Sequence, residues 1–250
     1  MPTQICQAQD SKIKDLLSGK IHSLEIPNII SQFECDSLSK KILSNYETTS
    51  GPGLTTKIGT SLSSYIYDKT KYFSNAQKSN LLLQNLFSNT NPIDKIKKTV
   101  SQLFQKEITT ANEDGMPYSY CMIRIHKNGD SVHVHRDNCN FEMPDYTVSK
   151  YQTQLSAILY LQSPQSGGEL KIYHKQWSKS DESHRHPEFG YSYDVIDGSN
   201  YDMISPITGN LVILNPNFYH QIEPVLGKKH RISIGFFFGE SREKKLYNWS

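Results

Sequence analysis

The chain has 250 residues, enough for one large domain whose core needs no staples, and its 27 Lys and Arg against 25 Asp and Glu leave a formal charge of +2. That balance lacks the single-sign excess of proteins that live on phosphate backbones, so a nucleic-acid partner is not expected. The four cysteines, Cys6, Cys35, Cys121 and Cys139, form no CxxC pair, no apolar run approaches the roughly 20 residues that span a bilayer, and residues 1–20 lack the apolar stretch of a signal peptide, so the expectation is a soluble, cytoplasmic protein with no membrane partner. The sequence carries no signal of oligomeric state.

Residues 1–115 read as mainly helical. IHSLEIPNI is a short strand ended by Pro27, and Ser31-Gln32-Phe33-Glu34 has the form of a capping box. The helical spacing of Cys35, Leu38, Ile42 and Leu43 then predicts a helix over about 32–45. Gly51-Pro52-Gly53 marks a loop, and SNLLLQNLF and IDKIKKTVSQLF predict helices around 75–88 and 93–106. After residue 117 the pattern changes to short strands: YSYCMIRIH, QLSAILYLQ, GELKIYH, NLVILN and RISIGFFFG, broken by Asn128-Gly129, Gly167-Gly168 and Gly209-Asn210. Several such strands argue for a sandwich or jelly roll. The polar, aromatic stretch 174–205 is too long for an ordinary connection and reads as a functional loop or lid.

The chemistry concentrates in SVHVHRDN. Residues two apart on an extended strand share a face, so His135 and Asp137 converge while Arg136 points away. His220, in NLVILNPNFYHQIEPV, is the best third ligand. Two histidines and a carboxylate on one face of an octahedral ion are the facial triad of non-haem Fe(II) oxygenases, which leaves three positions open. A 2-oxo acid can fill two and dioxygen the last. A chelating co-substrate with a second carboxylate also needs a distal cation, and Arg231-Ile232-Ser233 supplies an arginine fork with a serine on the same strand face. His133 competes with His135 as a ligand, but would replace His-x-Asp by His-x-His and ranks second.

With these residues in this order, the sequence resembles the Fe(II)/2-oxoglutarate-dependent dioxygenases of the prolyl-4-hydroxylase-like branch. The resemblance is weak over LEIPNIISQFECDSL and strong over 118–240, through His135-Arg136-Asp137, LSAILYLQ, Gly167-Gly168-Glu169-Leu170, Gly209 opening NLVIL, His220, and Arg231-x-Ser233. Within that branch it is most similar to the carrier-independent halogenases of free indole alkaloids in cyanobacteria, through IRIHKNGDSVHVHRDN, QLSAILYLQSPQSGGELKIYHKQW and FFFGESREKKLYNWS. Those halogenases have glycine where this chain has Asp137, which opens a halide position, so the aspartate implies hydroxylation or another oxidation.

The resemblance implies an α+β fold with a double-stranded β-helix (jelly-roll, cupin-like) core and N-terminal supporting helices. It implies one dioxygenase domain over 1–250, with 1–115 as helical support and 116–250 as the catalytic core carrying the lid-like insertion. The implied cofactor is Fe(II), with 2-oxoglutarate and dioxygen as co-substrates and ascorbate as a supporting reductant. His135, Asp137 and His220 would hold iron. Arg231 and Ser233 would hold the distal carboxylate of 2-oxoglutarate, joined by Tyr160, and His126 occupies about the place where many relatives set a tyrosine against the co-substrate. The implied activity is hydroxylation of an unactivated C–H bond of a free small molecule, an amino acid derivative, alkaloid or other specialised metabolite, with release of succinate and carbon dioxide.

Blander readings stand beside these. Phe141, Tyr146 and Trp177 flank the expected mouth of the barrel as substrate contacts, with packing roles equally open. Tyr160 is also read as a core tyrosine with a locally bonded hydroxyl. His184-Arg185-His186 reads as a solvated loop, Lys228 and Lys229 as solvated turn residues, and nothing makes Cys139 a nucleophile. The alternatives to a small-molecule hydroxylase are a prolyl or other peptidyl hydroxylase and a non-catalytic metal-binding jelly roll.

Overall fold

The computed structural model describes residues 11–45, 55–88 and 90–250. The predicted loop at Gly51-Pro52-Gly53 and the cysteine at Cys6 lie outside the described residues, as does the first half of the segment searched for a signal peptide. In chain order, residues 11–18 form helix α1, followed by β1 (Ser23–Ile26) and α2 (Gln32–Asn45). The capping box is present: Ser31 Oγ accepts from Glu34 N at 3.3 Å, and Glu34 Oε2 accepts from Ser31 N at 3.1 Å. Then come β2 (Thr56–Ile58), α3 (Lys69–Leu86) and α4 (Pro92–Phe104). Helix α3 starts earlier than its apolar spacing predicts, because Asp68 caps it by accepting from Lys71 N and its first turn is polar. Helix α4 ends at Phe104 because Gln105 turns left-handed.

The remaining strands are β3 (Ile108–Thr110), the small hairpin β4 (Asn112–Glu113) and β5 (Met116–Pro117), β6 (Met122–His126), β7 (Val132–His135), β8 (Leu155–Gln162), β9 (Ser166–Gly167) and β10 (Leu170–Gln176). They continue with β11 (Tyr201–Ile204), β12 (Leu211–Leu214), β13 (Phe218–Ile222), β14 (Val225–Leu226), β15 (Arg231–Glu240) and β16 (Leu246–Trp249). The short helix α5 (Cys139–Glu142) follows the His-x-Asp segment.

Two sheets face each other. The larger runs β1-β12-β8-β15-β16-β3, with β6 also on β15 and β2 on β6; the smaller runs β11-β10-β13-β7. Alternation on β8 explains both layers of packing. Leu155, Ala157, Leu159 and Leu161 face outward into the cluster that also holds Leu38, Ile42, Leu83, Ile93 and Ile96 of the helices. Tyr160 faces inward, with Leu170, Ile172, Val212 and Phe218 between the sheets. Each fully buried Leu or Ile stabilises by about 1.5–3 kcal/mol, which fixes the helices as a backing layer and leaves the inner face for chemistry.

The stretch predicted as a lid is narrower than 174–205. Strand β10 extends to Gln176 and β11 begins at Tyr201, and the two pair with each other, so the insertion proper is 177–200. It holds two 3-10 turns, Lys179–His184 and Tyr193–Ile196. It returns along β7, where Tyr191 N donates to Val134 O at 3.0 Å, and Gly190 is required there because a Cβ would lie 2.5 Å from that same carbonyl oxygen.

Candidate active site

His220 on β13 lies directly opposite His135 on β7, so the two imidazoles share the inner face, with ring centroids 4.2 Å apart. Each ring bonds through Nδ1 to the carbonyl two residues back, His135 to His133 O at 2.8 Å and His220 to Phe218 O at 2.9 Å. With Nδ1–H donating, Nε2 carries the lone pair, which is the tautomer a metal ligand needs. Asp137 follows β7, its N–H held by Pro216 O at 2.9 Å, and its Oδ2 stands 3.5 Å from His220 Nε2. One ligand atom from each of the three residues lies within 4.8 Å of the others, compatible with the roughly 3 Å between adjacent donors around an ion bonded at about 2.1 Å.

Burial, then the proximity of His220, lowers the His135 pKa to about 3, so the ring is neutral. For Asp137 burial acts upward but is outweighed by the adjoining His220 and His135 rings and, after them, by Arg124, which hold the carboxyl at about 2. Two imidazoles and one carboxylate are a donor set suited to Fe(II). His133 points away, its ring 4.8 Å from Tyr193 and 5.3 Å from His186, and only its backbone carbonyl serves the triad.

Arg231 is 1 % exposed, and among the described residues no carboxylate pairs with it. Its Nε donates to Gly168 O at 2.9 Å, Nη1 donates to Ser233 Oγ at 3.3 Å and lies 3.5 Å from His126 Nδ1, and the guanidinium sits 5.0 Å from the Tyr160 ring centroid. Gly168, at φ +72°, allows this approach, since a Cβ there would press on Arg231 Cδ at 3.0 Å. Tyr160 Oη and His126 Nε2 are buried without a hydrogen-bond partner. An unpaired buried guanidinium beside orphaned polar atoms is costly unless an anion completes it, so the residues present fit the distal carboxylate of 2-oxoglutarate.

Cross-strand register extends this row to two residues the sequence reading did not single out. Lys57 pairs with Arg124, Arg124 with Ser233, and Ser233 with Tyr160, so all four side chains share one face of the larger sheet. Burial lowers the Arg124 pKa, opposed by Asp137 and reinforced by Arg231. His126 is held neutral by burial and then by Arg231, Arg124 and Lys57.

Beside Asp137 lies a pocket of about 200 Å³ lined mainly by amides, Asn138, Asn140, Gln154, Asn215 and Asn217 among them, with Leu17 of α1 at one wall. Gln154 Oε1 accepts from Cys139 N at 2.8 Å, while its Nε2 is buried without a partner. Burial first raises the Cys139 thiol to about 12, which keeps it unreactive.

The three aromatic candidates separate. Phe141 and Trp177 come together, 4.6 Å apart, over Arg136, whose guanidinium lies 4.1 Å from the Trp177 ring and 5.2 Å from Phe141. Arg136 does point away from the face of Asp137, and Glu142 and Glu182 hold it there. Tyr146 has no surface to offer a substrate: it is fully buried against Tyr72, Phe73 and Tyr118, its hydroxyl donating to Tyr65 O at 2.5 Å. Phe189, unnoticed in the sequence, lies in the insertion with its ring 5.0 Å from that of His135. His184 and His186 join no metal-binding group among the described residues.

The family model of the carrier-protein-independent halogenase WelO5 matches residues 2–250. The chain belongs to this family. It is an Fe(II)- and 2-oxoglutarate-dependent oxygenase with a jelly-roll core. Among curated relatives, the leucinostatins biosynthesis cluster protein S of Purpureocillium lilacinum is 29 % identical over 183 residues, 68 % of this chain and 73 % of that protein. The L-gamma-glutamyl-L-propargylglycine hydroxylase of Streptantibioticus cattleyicolor is 21 % identical over 248 residues, 95 % of this chain and 91 % of that one. Among solved structures, an N-substituted L-amino acid dioxygenase from Burkholderia ambifaria shares the fold at a TM-score of 0.63 and 12 % identity, covering 96 % of this chain and 90 % of its own. HygX from Streptomyces hygroscopicus, with nickel and 2-oxoglutarate bound, does so at 0.55 and 14 %, covering 91 % and 85 %.

Proposed function

We propose that this enzyme hydroxylates an unactivated C–H bond of a free, amino-acid-derived small molecule, releasing succinate and carbon dioxide. The observation that carries the reading is Asp137, a carboxylate standing 3.5 Å from His220 Nε2 where the halogenases it resembles have glycine. With the position filled by a side chain, no halide site opens on the metal. Iron and 2-oxoglutarate, when bound, supply the oxidising power; the chain's own residues hold and orient. His135, Asp137 and His220 hold the metal, and Arg231 with Ser233 grips the distal carboxylate, with Tyr160 and His126 beside it. The unpartnered Gln154 Nε2 and its neighbouring amides offer neutral donors and acceptors, which suit the amide and carboxyl groups of an amino acid derivative.

The insertion supports a closed pocket over an open peptide groove, because it lies along β7 and sets Phe189 against His135. Phe141 and Trp177, stacked on Arg136 at the base of that insertion, are the remaining substrate contacts of this proposal. The substrate class is supported by two relatives, one named a hydroxylase of a γ-glutamyl amino acid and one an N-substituted amino acid dioxygenase. A cytosolic location belongs to the same proposal; Cys35, Cys121 and Cys139 are free and buried, and no helix among the described residues is long and apolar enough to cross a membrane.

The test is succinate release across a panel of N-acyl and γ-glutamyl amino acids in saturating chloride, with mass spectrometry of the product. A gain of one oxygen in the wild type, lost in D137A, is the expected result. A chlorinated wild-type product, or D137A activity equal to wild type, contradicts it.

A further inference from the structure

A second cluster of metal-ligating side chains lies on the same small sheet. Asp202 on β11 pairs with Ile172, Ile172 with His220, and His220 with His135, so these four side chains form one row on one face. Two strand spacings separate Asp202 from His220, roughly 10 Å. His174 follows Ile172 on the same face of β10, and His22 comes from the residue just ahead of β1. His22 Nδ1 lies 2.7 Å from Asp202 Oδ2, and His174 Nε2 lies 2.9 Å from Asp202 Oδ1. The two imidazoles stack at 4.0 Å, and the edge of Phe218 closes on His22 at 4.7 Å.

We propose that His22, His174 and Asp202 form a second metal site, taking a divalent transition ion of the zinc class and stapling the open seam between the two sheets. β1 is an edge of the larger sheet and β11 an edge of the smaller, and His22 and Asp202 bridge them through side chains. Imidazole and carboxylate donors suit Zn(II) with its bonds of about 2.0–2.2 Å. One atom from each residue lies within 4.8 Å of the others, so a small outward shift of each ring admits the ion. Neutral imidazoles bind it without net ionisation, the ring proton moving to the other nitrogen. His174 and Asp202 keep 35 % and 44 % of their side chains exposed, which leaves a path for the ion and room for water as fourth ligand. The staple fixes the segment that leads from α1, whose Leu17 walls the pocket beside Asp137.

The site is independent of the oxygenase reading, and its test reads metal, not turnover. The full chain is dialysed against Zn²⁺ and its bound zinc counted by mass spectrometry. Two zinc ions per chain are expected in the wild type, one at each cluster, and one in H174A, in D202N and in H135A. Melting temperatures in metal-free buffer check that each variant folds, and added zinc should raise that of the wild type more than that of D202N. Zinc-edge anomalous scattering from wild-type crystals needs no variant and should show density among His22, His174 and Asp202. An H174A or D202N zinc count equal to that of the wild type, or anomalous density absent from His22, His174 and Asp202, overturns the proposal and leaves a hydrogen-bonded staple.

Discussion

The triad His135, Asp137 and His220 and the cluster His22, His174 and Asp202 use the same residue types toward opposite sides of one four-stranded sheet, the second drawing His22 from just ahead of β1 on the larger sheet. In the first, both imidazoles are fastened by backbone carbonyls so that Nε2 faces the ion, and a buried, unpaired Arg231 waits across the barrel for an anion. In the second, each ring nitrogen points at the carboxylate itself, and half-exposed side chains close the seam. Ligand type therefore selects for a metal, while the fastening of the rings and the surrounding charge decide whether that metal has room for a co-substrate.

The largest effect that sharpens this contrast is expected at the anchor. R231K keeps the charge but loses the fork, and a charged hydrogen bond is worth about 1.5–3 kcal/mol, so KM for 2-oxoglutarate should rise roughly 10- to 150-fold with kcat little changed. D202A should leave that KM at the wild-type value; a rise in both variants would erase the distinction between the clusters. A smaller effect is expected at the insertion, where F189A should raise substrate KM about five-fold, the ~1 kcal/mol of one aromatic contact on His135. Steady-state kinetics on the identified substrate checks it, and an unchanged KM would detach the insertion from the pocket.

The smallest lies outside both clusters and serves as a control. Hydrogen bonds from Lys95 and then Ser31 lower the Glu34 carboxyl to about 2. A depressed pKa contributes stability above the unfolded value near 4.5 and loses it as pH falls toward 2. Both partners are part-exposed, so E34Q should cost less than about 1 kcal/mol at pH 7 and flatten urea-denaturation midpoints between pH 4.5 and 2, with no change in metal content.

Much of the first site is legible in the chain because strand geometry repeats every second residue. His-x-Asp and Arg-x-Ser each announce a shared face, and the structure adds that His220 sits within a strand of its own, β13. Arg124 and Lys57 were not legible: each is a basic residue in a short strand, and only the cross-strand register puts them beside Ser233. Phe189 lay in a stretch without periodicity. Tyr146 misled because nearness in sequence to the triad is not nearness in space, and the aromatic cluster under α3 claims it. The second cluster joins residues 180 and 28 positions apart, with no motif to mark it.

Anaerobic addition of Fe(II) and 2-oxoglutarate, read by visible absorption, tests the central claim most directly. The wild type and H174A should both develop the weak charge-transfer band of a metal-chelated 2-oxo acid, and H220A should not. A wild type without the band, or an H220A protein with it undiminished, would contradict the assignment of His135, Asp137 and His220 as the iron site.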